Sequence, residues 1–141
     1  MVLGRALLGE GWQVRGTTRS PARLTSIEEA GIEAVIADPD RVGTVLDHVG
    51  DVAVLAYLMG VAEGEPGLVA ALHGPRLERL LERLVDTPVR GFVYEEGAGS
   101  QLVSEASERW RIRTSLIETD PADHARWLPA ATTAVTTIFA P

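Results

Sequence analysis

Apolar and polar positions along this chain switch repeatedly between a helical and a strand-like period. From Val2 to Glu10, apolar residues Leu3, Ala6, Leu7 and Leu8 fall on one helical face, and the Gly9–Gly11 pair stops the run. "WQVRGT" then reads as a short strand. Ser20-Pro21 puts a capping residue ahead of a proline at the first helical position. The helix it predicts runs to about Ala30, where Gly31 ends it. "EAVIA" is a second strand, broken by Asp38-Pro39-Asp40. Asp40 is expected to cap a helix through His48, with Val42, Val45, Leu46 and Val49 on one face. "VAVLAYL" is the most apolar run and suits a central parallel strand covered on both faces.

The second half repeats the alternation. After the loop-like "GVAEGEPG", a long helix is predicted from about Gly67 to Val85. Leu77, Leu80, Leu81 and Leu84 form its buried stripe, and Gly74-Pro75 kinks or restarts it. "RGFVYE" is a strand, "GAGSQ" a loop, and a helix runs from about Leu102 to Trp110. "IRTSLIE" is the last strand. A helical turn from Asp120-Pro121 to Trp127 and an apolar helix from Pro129 to Phe139 close the pattern. Five strands alternating with helices call for right-handed βαβ units, that is, a doubly wound parallel α/β sheet. There is no internal repeat and no linker, so residues 1–141 form one domain.

Composition removes several classes of chemistry. The net charge of −7 and the lack of a basic block argue against nucleic-acid and anionic-membrane partners. Without cysteine there is no disulfide, thiolate catalysis or cysteine-ligated zinc. No apolar run approaches the ~18 residues of a membrane span, and the first residues lack a signal core, so the expected compartment is the cytoplasm. His48, His73 and His124 lack metal-ligand spacing, so no metal site is expected. Every basic residue is arginine. The absence of lysine excludes Schiff-base chemistry, a phosphate-loop lysine and any tyrosine–lysine pair.

"GRALLGEGWQVRGTTRSPARL" resembles the start of the atypical and extended short-chain dehydrogenase/reductases, the nucleotide-sugar epimerase and NmrA-like proteins. In that family a first strand enters a turn of the form G-x-x-G-x-x-G, followed by a helix and a second strand. Gly4 matches the third glycine, and Thr17, Thr18 and Arg19 match the end of the second strand. Asp38 matches the aspartate after the third, "VLAYLMG" the fourth strand and "VRGFVYEEGAG" the fifth. The resemblance implies a Rossmann-like NAD(P)-binding domain that lacks the family's first strand and first two glycines, as if truncated at its N-terminus. The catalytic tyrosine-x-x-x-lysine pair is absent too: Tyr94 has no lysine partner.

The cofactor residues implied by the resemblance are Gly4, Arg19, Asp38, Ala56, Tyr57 and Leu58. An acidic residue in place of Arg19 would select NAD through the ribose 2′-hydroxyl, whereas arginine suits the 2′-phosphate of NADP. Arg19 also reads as a solvated strand end, Asp38 as a turn residue before Pro39, and Tyr57 as a core residue. Glu95 and Glu96, being adjacent, face opposite ways on a strand end and read as a solvated turn. The catalytic residues are unassigned. The expected function is an NADP-preferring domain without intact short-chain dehydrogenase catalysis. The alternatives are a non-enzymatic interaction domain that kept the fold, or a reductase or epimerase using other residues.

Taking the first strand out of a 3-2-1-4-5-6 order leaves the second and fourth strands roughly 9–10 Å apart, with two facing unpaired edges. Either the second strand slides over to pair with the fourth, or another chain lends a strand as in a homodimer, or the natural protein starts about ten residues upstream.

Overall fold

The computed structural model describes residues 2–59 and 66–138. Helix α1 (Val2–Gly9) leads through a turn at Gly11, whose φ of 94° suits glycine, into strand β1 (Arg15–Thr18). A 3₁₀ turn (Pro21–Arg23) and α2 (Leu24–Glu29) follow, then β2 (Glu33–Ile36), α3 (Val42–Leu46) and β3 (Val54–Tyr57). The second half contains α4 (Pro66–Leu72), α5 (Pro75–Leu84), β4 (Gly91–Glu95), α6 (Ser100–Trp110), β5 (Arg113–Ile117) and α7 (His124–Thr137).

All strand pairs are parallel, as the alternation predicts, but the sheet is in two parts. β1 pairs with β2, while β3, β4 and β5 form a separate three-stranded sheet in that order. No hydrogen-bonded register joins β1 to β3, so the second strand has not slid over to close the sheet.

Two apolar layers lie on opposite faces. One joins Leu77, Leu80, Leu81 and Leu84 of α5 to Phe92, Tyr94, Val103 and Tyr57, with Val42 and Val49 at its margin. The other joins Leu3 and Leu7 of α1 to Val93, Ile117 and α7 residues Ala131, Ala134 and Val135. Strand alternation explains the division: Phe92 and Tyr94 point to one face of β4, Val93 to the other.

Several boundaries differ from expectation. The helix predicted through Val85 is two helices, because Pro75 lacks the N–H needed to continue α4 and begins α5 instead. The two C-terminal segments are one helix, α7, that carries Pro129 inside it, and Asp123 caps it through the N–H of Arg126. Asp40 does not cap α3. Arg41 occupies that position, and the Asp40 N–H is bonded to Oδ1 of Asp38 at 2.9 Å. Most of the loop predicted as "GVAEGEPG" lies outside the described residues.

Candidate functional site

Where β1 and β3 face each other without pairing, a cavity of about 630 Å³ runs between the two sheets. Leu3, Gly4 and Leu7 of α1 wall one face and Val45 and Val49 the other. Of the six residues implied to hold a cofactor, four line this cavity: Gly4, Ala56, Tyr57 and Leu58.

Gly4 seats α1 against the small sheet. A Cβ there would run into the Ile32 side chain and stand 3.5 Å from Val14 Cγ1, so α1 reaches this depth only without a side chain. Ala56 is exposed at the cavity wall, and Leu58 packs partly buried on the α1–α7 layer. Tyr57 is a core residue whose hydroxyl donates to the Leu72 carbonyl at 2.7 Å. Burial pushes its phenol well above the ordinary range.

Arg19 and Asp38 stand at the carboxyl ends of β1 and β2, outside the cavity lining. Arg19 is exposed, and its guanidinium has no hydrogen bond or ion pair to the described residues. Asp38 is held in a tight turn. Its N–H donates to Thr44 Oγ1 at 2.8 Å, and its Oδ1 accepts from Asp40. Arg76 of α5 reaches the same turn through Asp40 Oδ1 at 3.0 Å.

At the opposite, N-terminal end of the strands, Arg15 bridges the two sheets. Its Nη1 donates to Asp51 Oδ1 at 2.6 Å and to the His48 carbonyl at 2.7 Å, and its Nη2 reaches Asp51 Oδ2 at 3.2 Å. Asp51 lies just ahead of β3, so this fork spans the mouth of the cavity. The hydrogen bonds from Arg15 hold the Asp51 carboxyl below its usual range.

The polar network that sequence reasoning missed lies on the other face of β4. Tyr94, fully buried, accepts from the Gly99 N–H at 2.9 Å and sits 2.6 Å from His73 Nδ1. His73 Nε2 lies 2.8 Å from the Met59 carbonyl. A carbonyl only accepts, so Nε2 carries the proton and Nδ1 takes the Tyr94 hydroxyl hydrogen. The carbonyl is 14 residues from His73, so this bond ties the end of α4 to the segment after β3. The solvated turn expected at Glu95 is also corrected. Glu95 is 3% exposed, and its Oε2 accepts from Trp127 Nε1 at 2.9 Å. Alternation turns it toward α7, while Glu96 faces solvent as expected. A spacing of 32 residues between Glu95 and Trp127 leaves no sequence signal for that bond. Among the described residues there is no cluster of three potential metal ligands. Nor is any helix among them long and apolar enough to cross a membrane.

No protein-family model matches the chain, and no curated protein matches it. Among solved structures it is similar to the Citrobacter sp. triphenylmethane reductase complexed with NADP(H), with a TM-score of 0.63 at 14% identity. The match covers 82% of this chain and 43% of the reductase, so the chain spans less than half of that protein. At this identity the likeness shows the fold: a Rossmann-like α/β domain with five parallel strands.

Proposed function

We propose that this chain is a dinucleotide-binding module that prefers NADP and carries no short-chain-dehydrogenase catalytic pair of its own. The observation that carries the reading is Arg19, an exposed guanidinium without a partner among the described residues, placed directly after β1. Thr17 and Thr18 precede it, so no carboxylate stands there to repel a 2′-phosphate or to select a 2′-hydroxyl. Asp38, at the parallel end of β2, stands on the same edge for the adenosine. The first N–H groups of α1 have no intrahelical acceptor. These groups suit the adenosine-phosphate half of NADP, and the fold is shared with a reductase solved with NADP(H). When bound, the cofactor supplies hydride chemistry.

Support for a non-catalytic chain comes from Tyr94. It is fully buried, and its hydroxyl is already engaged by both His73 and Gly99. Catalysis in such a module depends on residues supplied by a partner or by a further domain. NADPH titrated into the protein by isothermal titration calorimetry tests the reading. Saturable binding is expected, weakened about tenfold or more by Arg19→Glu, the scale of one lost charge-assisted contact. An equal loss for NADH would refute the 2′-phosphate assignment. Absence of saturation below about millimolar NADPH, an affinity of roughly −4 kcal/mol, would leave the interaction-domain reading in its place.

A further inference from the structure

We infer that the N-terminal end of β4 and β5 carries an arginine surface that docks a short acidic segment of a partner protein. Arg109, Arg111 and Arg113 alternate with Trp110 and Ile112 where α6 turns into β5, and Arg90 stands just ahead of β4. Strand register brings the two stretches together. Gly91 pairs with Arg113, and the Arg113 N–H donates to the Arg90 carbonyl at 3.2 Å. All four arginines are exposed, and none is ion-paired with a described residue. Two of the guanidiniums are held in place without being neutralised. Arg90 Nη1 donates to the Thr87 carbonyl at 2.8 Å and to the Val89 carbonyl at 3.2 Å, and Arg113 Nη1 donates to the Ile138 carbonyl at 2.9 Å. A guanidinium has five N–H donors, so the remaining ones stay open to a carboxylate. Arg109 lies over the partly buried Trp110 ring, 5.7 Å from its centroid. Arginine and tryptophan side by side are the residue types that carry most of the energy in protein interfaces.

Arg111 adds an observation independent of charge. It ends α6 in the left-handed region, at φ 54°, and is the only non-glycine with positive φ among the described residues. Glycine takes that conformation freely, whereas a residue with a Cβ is strained in it. Helix C-termini attract cations, which accounts for Arg109 in the last turn of α6 and for Arg113 at the end of α7. That attraction gives no reason to hold a strained backbone at Arg111. The charge pattern then selects the occupant. The flanking turns add only Asp86 and Glu108, so the surface is positive on a chain of net charge −7. Neighbouring strands stand about 4.8 Å apart and two residues along one span about 6.7 Å, so the footprint is small. It is comparable with the Debye length of about 8 Å at physiological ionic strength, so its field survives the acidic remainder of the chain. A nucleic-acid duplex, with one charge per about 1.7 Å of axis, runs past such a footprint onto that remainder and is repelled. A few consecutive Asp or Glu side chains stay within it, and each can take a guanidinium in bidentate fashion. The inference does not depend on nucleotide binding, and its test contains none.

The test titrates the full chain into a dye-labelled hexaglutamate peptide at low ionic strength, followed by fluorescence anisotropy, with hexaglutamine as the uncharged control. Saturable binding is expected for hexaglutamate alone. Arg111→Gly and Arg109→Gln are each expected to weaken it about tenfold or more, the scale of one lost charge-assisted contact. Arg111→Gly is expected to raise Tm at the same time, because glycine relieves the left-handed backbone. Lower affinity together with higher stability separates a docking residue from a folding one. Arg5→Gln removes the same charge from α1 and is expected to leave the affinity unchanged. Absence of saturable binding would overturn the inference, as would unchanged affinity or a lowered Tm in Arg111→Gly. An equal loss in Arg5→Gln would reduce the effect to net charge and overturn it as well. Tighter binding of a single-stranded oligonucleotide of equal charge would assign the surface to nucleic acid instead. Self-association that is lost in Arg111→Gly, measured by light scattering, would assign it to the acidic surface of a second copy.

Discussion

Tyr94 shows how one side chain can carry three elements. Its hydroxyl joins β4 to the loop before α6 through Gly99, and to the end of α4 through His73, which in turn holds the Met59 carbonyl beyond β3. Tyr94→Phe keeps the ring contacts with Tyr57, at 6.3 Å between centroids, but leaves the Gly99 N–H and His73 Nδ1 without this partner. A buried donor left unsatisfied costs roughly 1–3 kcal/mol, so urea denaturation should show a loss of about that size. The same phenols set an alkaline limit. Burial raises the folded-state values of Tyr57 and Tyr94 above the ordinary tyrosine value of about 10. Below that value both states are protonated and the contribution is fully present. Above it the unfolded chain loses protons that the folded chain keeps, so stability falls as pH rises. Urea midpoints between about pH 8 and pH 11 should decline in the parent and decline less in Tyr57→Phe. Neither Tyr94's network nor the burial of Glu95 is legible in the sequence. Their partners are brought together only by folding, at separations of 21 and 32 residues.

At the scale of elements, Gly4 sets how closely α1 approaches β1 and β2. Replacing it by alanine places a Cβ against the Cδ1 end of the buried Ile32 side chain, which must shift, and overpacking of this kind costs about 1–3 kcal/mol. Thermal denaturation should show Gly4→Ala destabilised. Gly43→Ala, whose Cβ meets nothing within 4 Å, should lose no stability. Much of this level was legible. The order of helices and strands and the leucine stripe of α5 follow from periodicity alone, but the most apolar run, expected as a central strand covered on both faces, is β3, a partly exposed edge of its sheet, while the fully buried centre is β4. Boundaries were less so. Val14 has the strand pattern of "WQVRGT" but precedes the first residue of β1, and Pro129 reads as a helix start yet sits inside α7. Asp123 caps the start of α7, and packing of Ala131, Ala134 and Val135 in one layer with Val93 and Ile117 carries the helix on past Pro129.

For the whole molecule, the split sheet was partly foreseen and partly not. The family resemblance implied a gap between the second and fourth strands, but whether the gap closes depends on balances that no local pattern encodes. Closing it would require β1 to leave the positions set by Gly4 against Ile32 and by Arg15 against Asp51. The Arg15 fork is therefore expected to matter for the coupling of the two sheets more than for local structure. Asp51 is depressed below its usual value by Arg15, so its contribution is present above about pH 4 and is lost as pH falls through the lower, folded-state value. Exposure of Asp51 to solvent keeps the effect small and sensitive to salt. Arg15→Met removes the fork while keeping most of the side-chain stem. In that variant amide exchange should accelerate in β1 and β2, which rest on two helices and each other. It should change little in β3, β4 and β5, whose core residues Phe92, Val93 and Tyr94 are fully buried. In the parent, lowering the pH below about 4 should reproduce that pattern, and in Arg15→Met the same drop should add less to it. Uniform acceleration across all five strands would instead mean that the two sheets unfold as one unit and that the fork does not couple them.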